Sequence, residues 1–223
     1  MNILITGTSR GVGEALVKQF ATHKHTVIAI SRGEQPIQEN VHNLILDYTT
    51  PQGLAEVSNY LTTHSLTIDV LINNAATLIN KPFEENTPTD FMSIFATNVS
   101  APYFLIQHLL IHKLFGAPAA VYNISSMGGF QGSSKFAGLS LYSMTKGTLS
   151  TMTEVLAEEL KDKNISVNAF ALGSVATQML KEAFPTYEAN ITASTMANFI
   201  HHFVISNNGL INGKIIPVAS STP

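Results

Sequence analysis

Two side chains that could move a proton, Tyr142 and Lys146, lie four residues apart. In a helix this spacing places both on one face, so that the phenol and the ammonium would be neighbours. An ammonium beside a phenol favours the phenolate, which predicts a pKa of Tyr142 below its ordinary value of about 10. Such a phenol can give or take a proton near neutral pH. The same spacing also suits an ordinary surface pair on an amphipathic helix, so the pair alone does not establish chemistry.

A glycine-rich turn lies near the start of the chain, where Gly7, Gly11 and Gly13 follow an apolar run and open a helical pattern. Glycines permit a tight turn and a close approach of the backbone to a pyrophosphate. The start of the helix would add free N–H groups and a favourable dipole. The turn therefore predicts dinucleotide binding. Its G-x-x-x-G-x-G spacing differs from the commoner G-x-G-x-x-G, and an ordinary strand–helix turn stays the alternative.

The elements that must position these residues alternate along the chain. Apolar runs occupy residues 3–6, 26–31, 43–46, 68–72, 119–124, 166–171 and 214–217, and helix-period stretches occupy residues 11–22, 52–63, 89–115, 141–160 and 195–205. This alternation predicts an α/β fold, a doubly wound Rossmann-type three-layer sandwich with a mostly parallel seven-stranded sheet. One domain, residues 1–223, is expected. Residues 178–194 are the least periodic and are predicted to form a mobile segment that covers a site.

The composition excludes several functional classes. With 12% charged residues and a net charge of -3, the chain has no basic footprint for nucleic acid or an anionic membrane. It has no cysteine, which excludes disulfides and thiolate chemistry. His108 and His112 share a helix face but lack a third ligand, so no metal is expected. Residues 101–114 are too short and polar to span a bilayer and no targeting segment is visible, so a soluble cytoplasmic protein is expected.

Taken in order, six motifs give a more specific indication. They are Thr6-Gly-x-x-x-Gly-x-Gly13, Asn73-Asn74-Ala75, Asn98, Ser125-Ser126, Tyr142-x-x-x-Lys146 and Gly173-x-Val175-x-Thr177. Their order and spacing resemble the short-chain dehydrogenase/reductase family over nearly the whole chain. The resemblance implies an oxidoreductase that moves a hydride between a nicotinamide cofactor and a carbonyl or alcohol substrate.

The resemblance also implies the roles of the catalytic residues. Tyr142 would exchange a proton with the substrate oxygen. Lys146 would lower the pKa of Tyr142 and bind the nicotinamide ribose, and Ser126 would hold the substrate carbonyl. Asn98 would hold a water for a proton relay through Lys146.

The expected cofactor is NADP(H). Ser31 and Arg32 follow the second strand, where NAD-preferring members carry an acidic residue, and Arg10 lies inside the glycine turn. Two guanidinium groups and a hydroxyl favour a 2′-phosphate, although both arginines could be solvated loop residues. Asp47 would bind the adenine amino group. The expected cofactor-binding residues are Gly7, Ser9, Arg10, Gly11, Val12, Gly13, Ser31, Arg32, Asp47, Asn74, Ala75, Ala76, Tyr142, Lys146, Val175 and Thr177.

The chain departs from the family pattern in three places. Ala76 stands where the family usually has Gly, Leu172 stands where it usually has Pro, and residues 131–138 form a short insert. The substrate pocket is expected to be mostly apolar, with Lys135 and Lys181 as possible exceptions. Its predicted lining is Met127, Phe130, Gln131, Phe136, Leu139, Leu172 and residues 178–194.

Two alternatives to a carbonyl reductase or alcohol dehydrogenase stay open. One is a non-catalytic NADP(H)-binding sensor or scaffold on the same fold. The other is a sugar-nucleotide epimerase, which shares Tyr-x-x-x-Lys but would need a larger substrate domain. Family members commonly pair through two long helices, here residues 89–115 and 141–160. The apolar stripe Phe104, Leu105, Leu109 and Leu114 supports a homodimer or homotetramer through them.

Overall fold

The structure is a computed structural model and describes residues 1–207 and 209–219. The strands are β1 (Asn2–Thr6), β2 (Thr26–Ser31), β3 (Val41–Ile45), β4 (Ile68–Asn73), β5 (Phe115–Ser126), β6 (Ile165–Leu172), β7 (Val175–Ala176), β8 (Ile191–Thr192) and β9 (Ile215–Val218). The α-helices are α1 (Gly11–Thr22), α2 (Pro51–Thr63), α3 (Pro88–Phe95), α4 (Ala101–Ile111), α5 (Ser140–Leu160), α6 (Gln178–Ala183) and α7 (Ala193–Ser206). Short 3₁₀ turns occupy Phe83–Glu85, Met127–Gly129 and Lys161–Lys163, and a π-helical turn occupies Ala96–Ser100.

Seven strands form one sheet in the order β3-β2-β1-β4-β5-β6-β9. Every pairing in it is parallel, which confirms the predicted α/β sandwich and goes further than the expected mostly parallel sheet. The strand order reverses beside β1, which pairs with both β2 and β4. Because all the strands run the same way, the loops after β1 and β4 leave the sheet at the same edge and open a crevice between them.

Two apolar cores cover the two faces of the sheet. One packs side chains of α2, α4 and α5, such as Leu61, Leu105 and Leu149, against the strands. The other packs Phe20 of α1 and Ile200 of α7 against the opposite face. A parallel sheet buried on both faces explains why its strands read as continuous apolar runs.

The long helix expected over residues 89–115 is confirmed over most of its length, since α3, the π-helical turn and α4 follow one another without a break from Pro88 to Ile111. Its expected end is wrong, because α4 ends at Ile111. Lys113 takes the left-handed conformation (φ 55), and the N–H of Leu114 donates to the carbonyl of Leu109, which terminates the helix. The apolar pattern continues past this end because Leu114 is buried in the core and residue 115 already begins β5.

Taken together, Pro88–Ile111 is long and apolar enough to cross a membrane by length and composition, with a mean hydropathy of 1.3. Within this stretch, Leu105, Ile106 and Leu109 belong to the apolar core against the sheet. A core helix packed in this way passes the same test of length and composition.

The segment of residues 178–194 contains regular structure that the sequence did not predict. It includes α6 and β8, and β8 pairs with β7 in a separate two-stranded sheet. Its mobility stays a prediction. We refer to residues 178–194 below as the covering segment.

Candidate active site

A cleft of about 1390 Å³ opens at the carboxyl edge of the sheet. Its walls come from the loops after the strands, from the first turns of α5 and from the covering segment. The predicted site residues that line it are Gly7, Ser9, Arg10, Gly11, Val12, Ser31, Arg32, Asp47, Asn74, Ala75, Ala76, Ser126, Tyr142, Lys146, Val175 and Thr177. Within the part of the chain that the structure describes, Gly13 and Asn98 are the predicted site residues outside this lining.

The glycine turn is held by contacts that leave no room for side chains. A Cβ on Gly7, whose φ is +71, would lie 2.6 Å from the Cα of Ala75. A Cβ on Gly13 would overlap the carbonyl oxygen of Gly7, so Gly13 serves close packing rather than ligand contact. The Asn74 amide donates to the carbonyls of Thr6 and Gly7, each at 3.0 Å. The result is a fixed backbone cradle of the kind that accepts a pyrophosphate at a helix N-terminus.

Polar and charged groups cluster at the ends of β2 and β3. The Ser31 hydroxyl donates to the carbonyl of Gly33 at 2.6 Å and accepts from Gln35 at 2.9 Å. Arg32 lies at the cleft near Asp47. The pKa of Asp47 is lowered, first by a hydrogen bond from the Thr49 hydroxyl and to a smaller extent by the charge of Arg32.

Arg10 also faces the cleft, but its guanidinium lies 3.1 Å from the carboxylate of Glu182 on α6. Sequence reasoning missed Glu182, because nothing in its local pattern indicates a partner that lies 172 residues away.

Tyr142, Lys146 and Ser126 meet where α5 begins beside the end of β5. The Ser126 hydroxyl accepts from the N–H of Gly128 at 3.1 Å and lines the same cleft as the phenol of Tyr142. The ammonium of Lys146 donates to the carbonyl of Ile124 at 2.7 Å and lies 5.7 Å from the centre of the Tyr142 ring. The hydroxyl of Ser125 donates to the carbonyl of Lys146 at 2.9 Å, so both serines of the predicted motif contact the pair.

The expected lowering of the pKa of Tyr142 is wrong for this arrangement. Burial raises the pKa of Tyr142 to about 12, and the neighbouring Ser126 hydroxyl opposes this rise. Burial also lowers the pKa of Lys146 to about 8. The ammonium of Lys146 is directed at the carbonyl of Ile124, so desolvation of the phenolate dominates over attraction by the cation.

Asn98 is buried in the π-helical turn, and its side chain is committed to protein groups. Its Oδ1 accepts from the N–H of Thr77 at 2.8 Å, and its Nδ2 donates to the carbonyl of Thr77 at 2.9 Å and to the Thr145 hydroxyl at 3.0 Å. The Thr145 hydroxyl in turn donates to the carbonyl of Tyr142 at 2.8 Å. The side chain of Asn98 therefore joins the loop after β4 to α5, and its expected role of holding a water stays a prediction.

The remaining part of the cleft is largely apolar, as predicted. Met127, Phe136, Leu139 and Leu172 line it, and Phe136 is the one contribution of the insert 131–138 among the described residues. The covering segment and α7 add apolar side chains that sequence reasoning did not name singly, which are Met179, Leu180, Phe184, Ile191, Met196 and Phe199.

Some of the expected lining residues are wrong. Phe130, Gln131, Lys135 and Lys181 are not among the described residues that line the cleft. Lys135 is turned into its own loop, where its ammonium donates to the carbonyls of Phe130 at 2.7 Å and Ser133 at 2.8 Å. No lysine of the described chain other than Lys146 therefore faces the cleft.

Sequence reasoning also missed several polar residues of the lining, among them Thr77 and Tyr48. Thr77 directly follows the predicted Ala75 and Ala76, and its Oγ1 is buried without a hydrogen-bond partner in the described structure. Tyr48 directly follows Asp47, and burial raises the pKa of its phenol to about 12. Adjacency to predicted site residues was the only available signal for either.

A family model described as short chain dehydrogenase matches residues 1–188. The chain belongs to the short-chain dehydrogenase/reductase family. L-xylulose reductase of Bos taurus is 31% identical to this short-chain dehydrogenase/reductase over 193 residues, which cover 81% of this chain and 74% of that relative.

Solved structures of this family match the fold closely. ElxO with NADP bound is 27% identical, with a TM-score of 0.85 over 98% of this chain and 96% of that one. The 3-ketoacyl-(acyl-carrier-protein) reductase of Brucella melitensis in complex with NADH is 22% identical, with a TM-score of 0.85 over 99% of this chain and 97% of that one. This short-chain dehydrogenase/reductase is therefore an oxidoreductase of a family whose structures hold nicotinamide dinucleotides, and its glycine cradle fits such a group.

Proposed function

We propose that the protein is an NADP(H)-dependent oxidoreductase that interconverts a carbonyl and an alcohol, with Tyr142 as the general acid and base. The observation that carries this proposal is the convergence of Tyr142, Ser126 and Lys146 in the same cleft as the glycine cradle. A non-catalytic sensor on this fold would not need these three groups together at the carboxyl edge of the sheet.

The nicotinamide, when bound, supplies or accepts the hydride. The residues of this chain handle the substrate oxygen and its proton. The hydroxyls of Ser126 and Tyr142 line the same part of the cleft and can both donate to one substrate oxygen. A phenol with a pKa of about 12 is protonated at neutral pH, which suits donation to the more basic oxygen that develops during carbonyl reduction.

Lys146 supports this chemistry from a buried position. Its ammonium is fixed by the carbonyl of Ile124, and its backbone carbonyl is held by Ser125. A cation near the Tyr142 ring stabilises the phenolate that remains after the proton has left. We assign Lys146 the further role of binding the nicotinamide ribose, and Asn98 that of positioning the start of α5 through Thr145.

A preference for NADP(H) is supported by Arg10 in the glycine turn and by Arg32 directly after β2, which both line the cleft. Arg32→Ala should weaken NADPH binding about 10-fold or more and leave NADH binding almost unchanged, because a hydrogen bond to a charged group contributes about 1.5–3 kcal/mol. Titration of both cofactors measures this difference. An equal loss for both would show that Arg32 does not read the 2′-phosphate.

The expected substrate is a small or medium, largely apolar carbonyl compound or the matching alcohol. The aliphatic and aromatic lining supports this choice, and Lys135 bonds its own loop instead of facing the cleft. A panel of neutral and anionic carbonyl compounds should show turnover chiefly with the neutral ones.

Replacement of Tyr142 by Phe is the decisive test of the chemistry. Tyr142→Phe should keep the affinity for NADPH and abolish turnover, because the substitution removes only the acidic proton. Tyr187→Phe is the matched control, since Tyr187 also lines the cleft but hydrogen-bonds Ser174 and none of the proposed catalytic residues. Turnover of Tyr142→Phe near that of the control would contradict the assignment.

We also propose that the protein is a cytoplasmic homodimer or homotetramer. The predicted stripe needs correction, because Leu105, Leu109 and Leu114 are buried in the core of the same chain. Phe104 and Ile111 of α4 carry the exposed apolar surface, with 49% and 69% of their areas accessible. Light scattering that shows an active monomer at micromolar concentration would exclude assembly through this face.

A further inference from the structure

An ion pair across the cleft joins a guanidinium of the glycine turn to a carboxylate of the covering segment. Arg10 belongs to the glycine turn, and Glu182 belongs to α6 in the covering segment. The guanidinium nitrogen and the carboxylate oxygen lie 3.1 Å apart, and both side chains line the cleft. The same carboxylate oxygen accepts a hydrogen bond from Gln178 at 2.7 Å, which fixes it on α6.

This contact has no counterpart among the other ion pairs of the described chain. The pairs Lys81–Asp90 and Lys161–Glu158 each join residues close in sequence. Beside Arg10–Glu182, Thr177 at the start of α6 packs near Gly11, since a Cβ on Gly11 would lie 3.4 Å from the Thr177 methyl group. The ion pair and this packing together attach α6 to the glycine turn.

We propose that Glu182 is a residue that sets the choice between NADP(H) and NAD(H), by competing with the 2′-phosphate for Arg10. The inference rests on the proposed preference for NADP(H). A guanidinium that is bonded to a carboxylate offers fewer donors to a phosphate, and the carboxylate repels that phosphate. The 2′-hydroxyl of NAD(H) is neutral, so it does not compete with the Glu182 carboxylate for Arg10.

The competition also couples the cofactor to the covering segment. If the bound phosphate weakens the Arg10–Glu182 ion pair, then the ion pair weakens phosphate binding by the same factor, because coupling between two equilibria is reciprocal. Binding of NADP(H) therefore loosens α6 from the glycine turn, whereas binding of NAD(H) leaves the ion pair in place. Both side chains are about half exposed, at 49% and 53%, so the expected effect is modest, about two- to fivefold.

The first test is titration of the purified protein with NADPH and NADH at low salt. Glu182→Gln should tighten NADPH binding about two- to fivefold and leave the Kd for NADH unchanged. Glu188→Gln is the matched control, because it removes a charge from an exposed acid of the same covering segment that does not line the cleft. The effect of Glu182→Gln on the NADPH Kd should disappear when Arg10→Ala is also present, and persistence of the effect would overturn the competition.

The second test needs no turnover. Hydrogen exchange of residues 178–183 should be faster with saturating NADPH than with saturating NADH in the wild-type protein. In Glu182→Gln that difference should be lost. Equal exchange with both cofactors in the wild type would overturn the coupling.

The outcomes separate the inference from the proposed function. A wild-type protein that binds NADPH no better than NADH, with Arg32→Ala affecting both equally, removes the proposed cofactor preference and the inference with it. The wild-type protein could instead prefer NADPH while Glu182→Gln changes neither Kd, or changes both equally. That result would keep the proposed function and overturn the inference alone.

Discussion

The glycine turn and the covering segment line the same cleft, but the chain fixes them by different kinds of interaction. In the glycine turn, backbone groups approach each other closely, and buried polar groups hold them. The Thr6 hydroxyl accepts from the N–H groups of Asn74 and Ala75, each at 3.1 Å, and the Asn74 side chain returns hydrogen bonds to Thr6 and Gly7.

The end of the covering segment is held by the pairing of β8 with β7 and by packing of Ile191 on the core, whereas its part around α6 is attached through exposed side chains. In addition to the Arg10–Glu182 pair, Asn80 donates to the carbonyl of Ala183 at 2.8 Å, and Tyr187 lies 2.9 Å from the Ser174 hydroxyl. Exposed contacts of this kind break at a low free-energy cost, whereas the close backbone contacts of the turn do not adjust. The difference favours a preformed cofactor cradle, and the mobility of the part of the wall around α6 stays a prediction.

The largest expected effect comes from placing a methyl group inside the rigid region. Gly13→Ala should destabilise the protein by about 3 kcal/mol and abolish NADPH binding, because the new Cβ overlaps the Gly7 carbonyl and lies 2.5 Å from the Asn74 amide nitrogen. Gly33→Ala is the matched control, since a Cβ there meets nothing within 4 Å. Urea denaturation and cofactor titration measure both variants, and equal stabilities would show that the turn can adjust.

A second prediction concerns α7, which follows the covering segment and packs on α1. His201 is buried in α7 and neither ring nitrogen has a hydrogen-bond partner in the described structure. The ring centres of His23, His202 and His25 lie 4.2, 5.6 and 6.0 Å from that of His201. Burial, followed by these neighbouring histidines, lowers the pKa of His201 from 6.5 to about 4.

The sign of the pH dependence follows from this lowered pKa. Below pH 6.5 the unfolded chain binds a proton that the folded chain accepts only near pH 4, so stability falls as the pH decreases through that window. His201 is therefore expected to lower the free energy of unfolding by about 2 kcal/mol between pH 7 and pH 5. Urea denaturation at the two pH values should show this loss in the wild type and a smaller loss in His201→Leu. An unchanged loss in the variant would assign the acid sensitivity to other groups.

The third prediction tests the hydrogen bonds of the turn without adding bulk. Asn74→Ala removes both side-chain hydrogen bonds to the carbonyls of Thr6 and Gly7. The free energy of unfolding should fall by about 1–2 kcal/mol. NADPH binding should weaken because the cradle loses its fixed shape. Thermal denaturation with and without NADPH gives both quantities, and a variant as stable as the wild type would place the rigidity elsewhere.

The smallest expected effect belongs to the covering segment. Asn80→Ala removes the hydrogen bond to Ala183 and should change the free energy of unfolding by less than about 1 kcal/mol, because Asn80 is exposed. Hydrogen exchange in residues 178–194 should nevertheless become faster, while exchange in residues 6–13 stays slow. Faster exchange in both regions would erase the contrast between them.

Much of the rigid region could be predicted from the sequence. The glycine spacing specified a turn, and the spacing of Tyr142 and Lys146 specified one helix face, because both depend on the local backbone. The attachments of the covering segment could not be predicted in this way. Asn80 and Ala183 are 103 residues apart, and no local pattern relates them.

The local sequence pattern therefore determined the repeated strand–helix units and the parallel sheet, and it named the residues of the proposed catalytic group. The tertiary structure alone decided properties that depend on which distant groups come together. It placed the Asn98 side chain in hydrogen bonds with Thr77 and Thr145, and the Lys146 ammonium in a hydrogen bond with the carbonyl of Ile124. It also buried the phenol of Tyr142, which raises its pKa. Hydrophobic period and glycine spacing act over a few residues, whereas burial and charge pairing arise only when separate elements pack against each other.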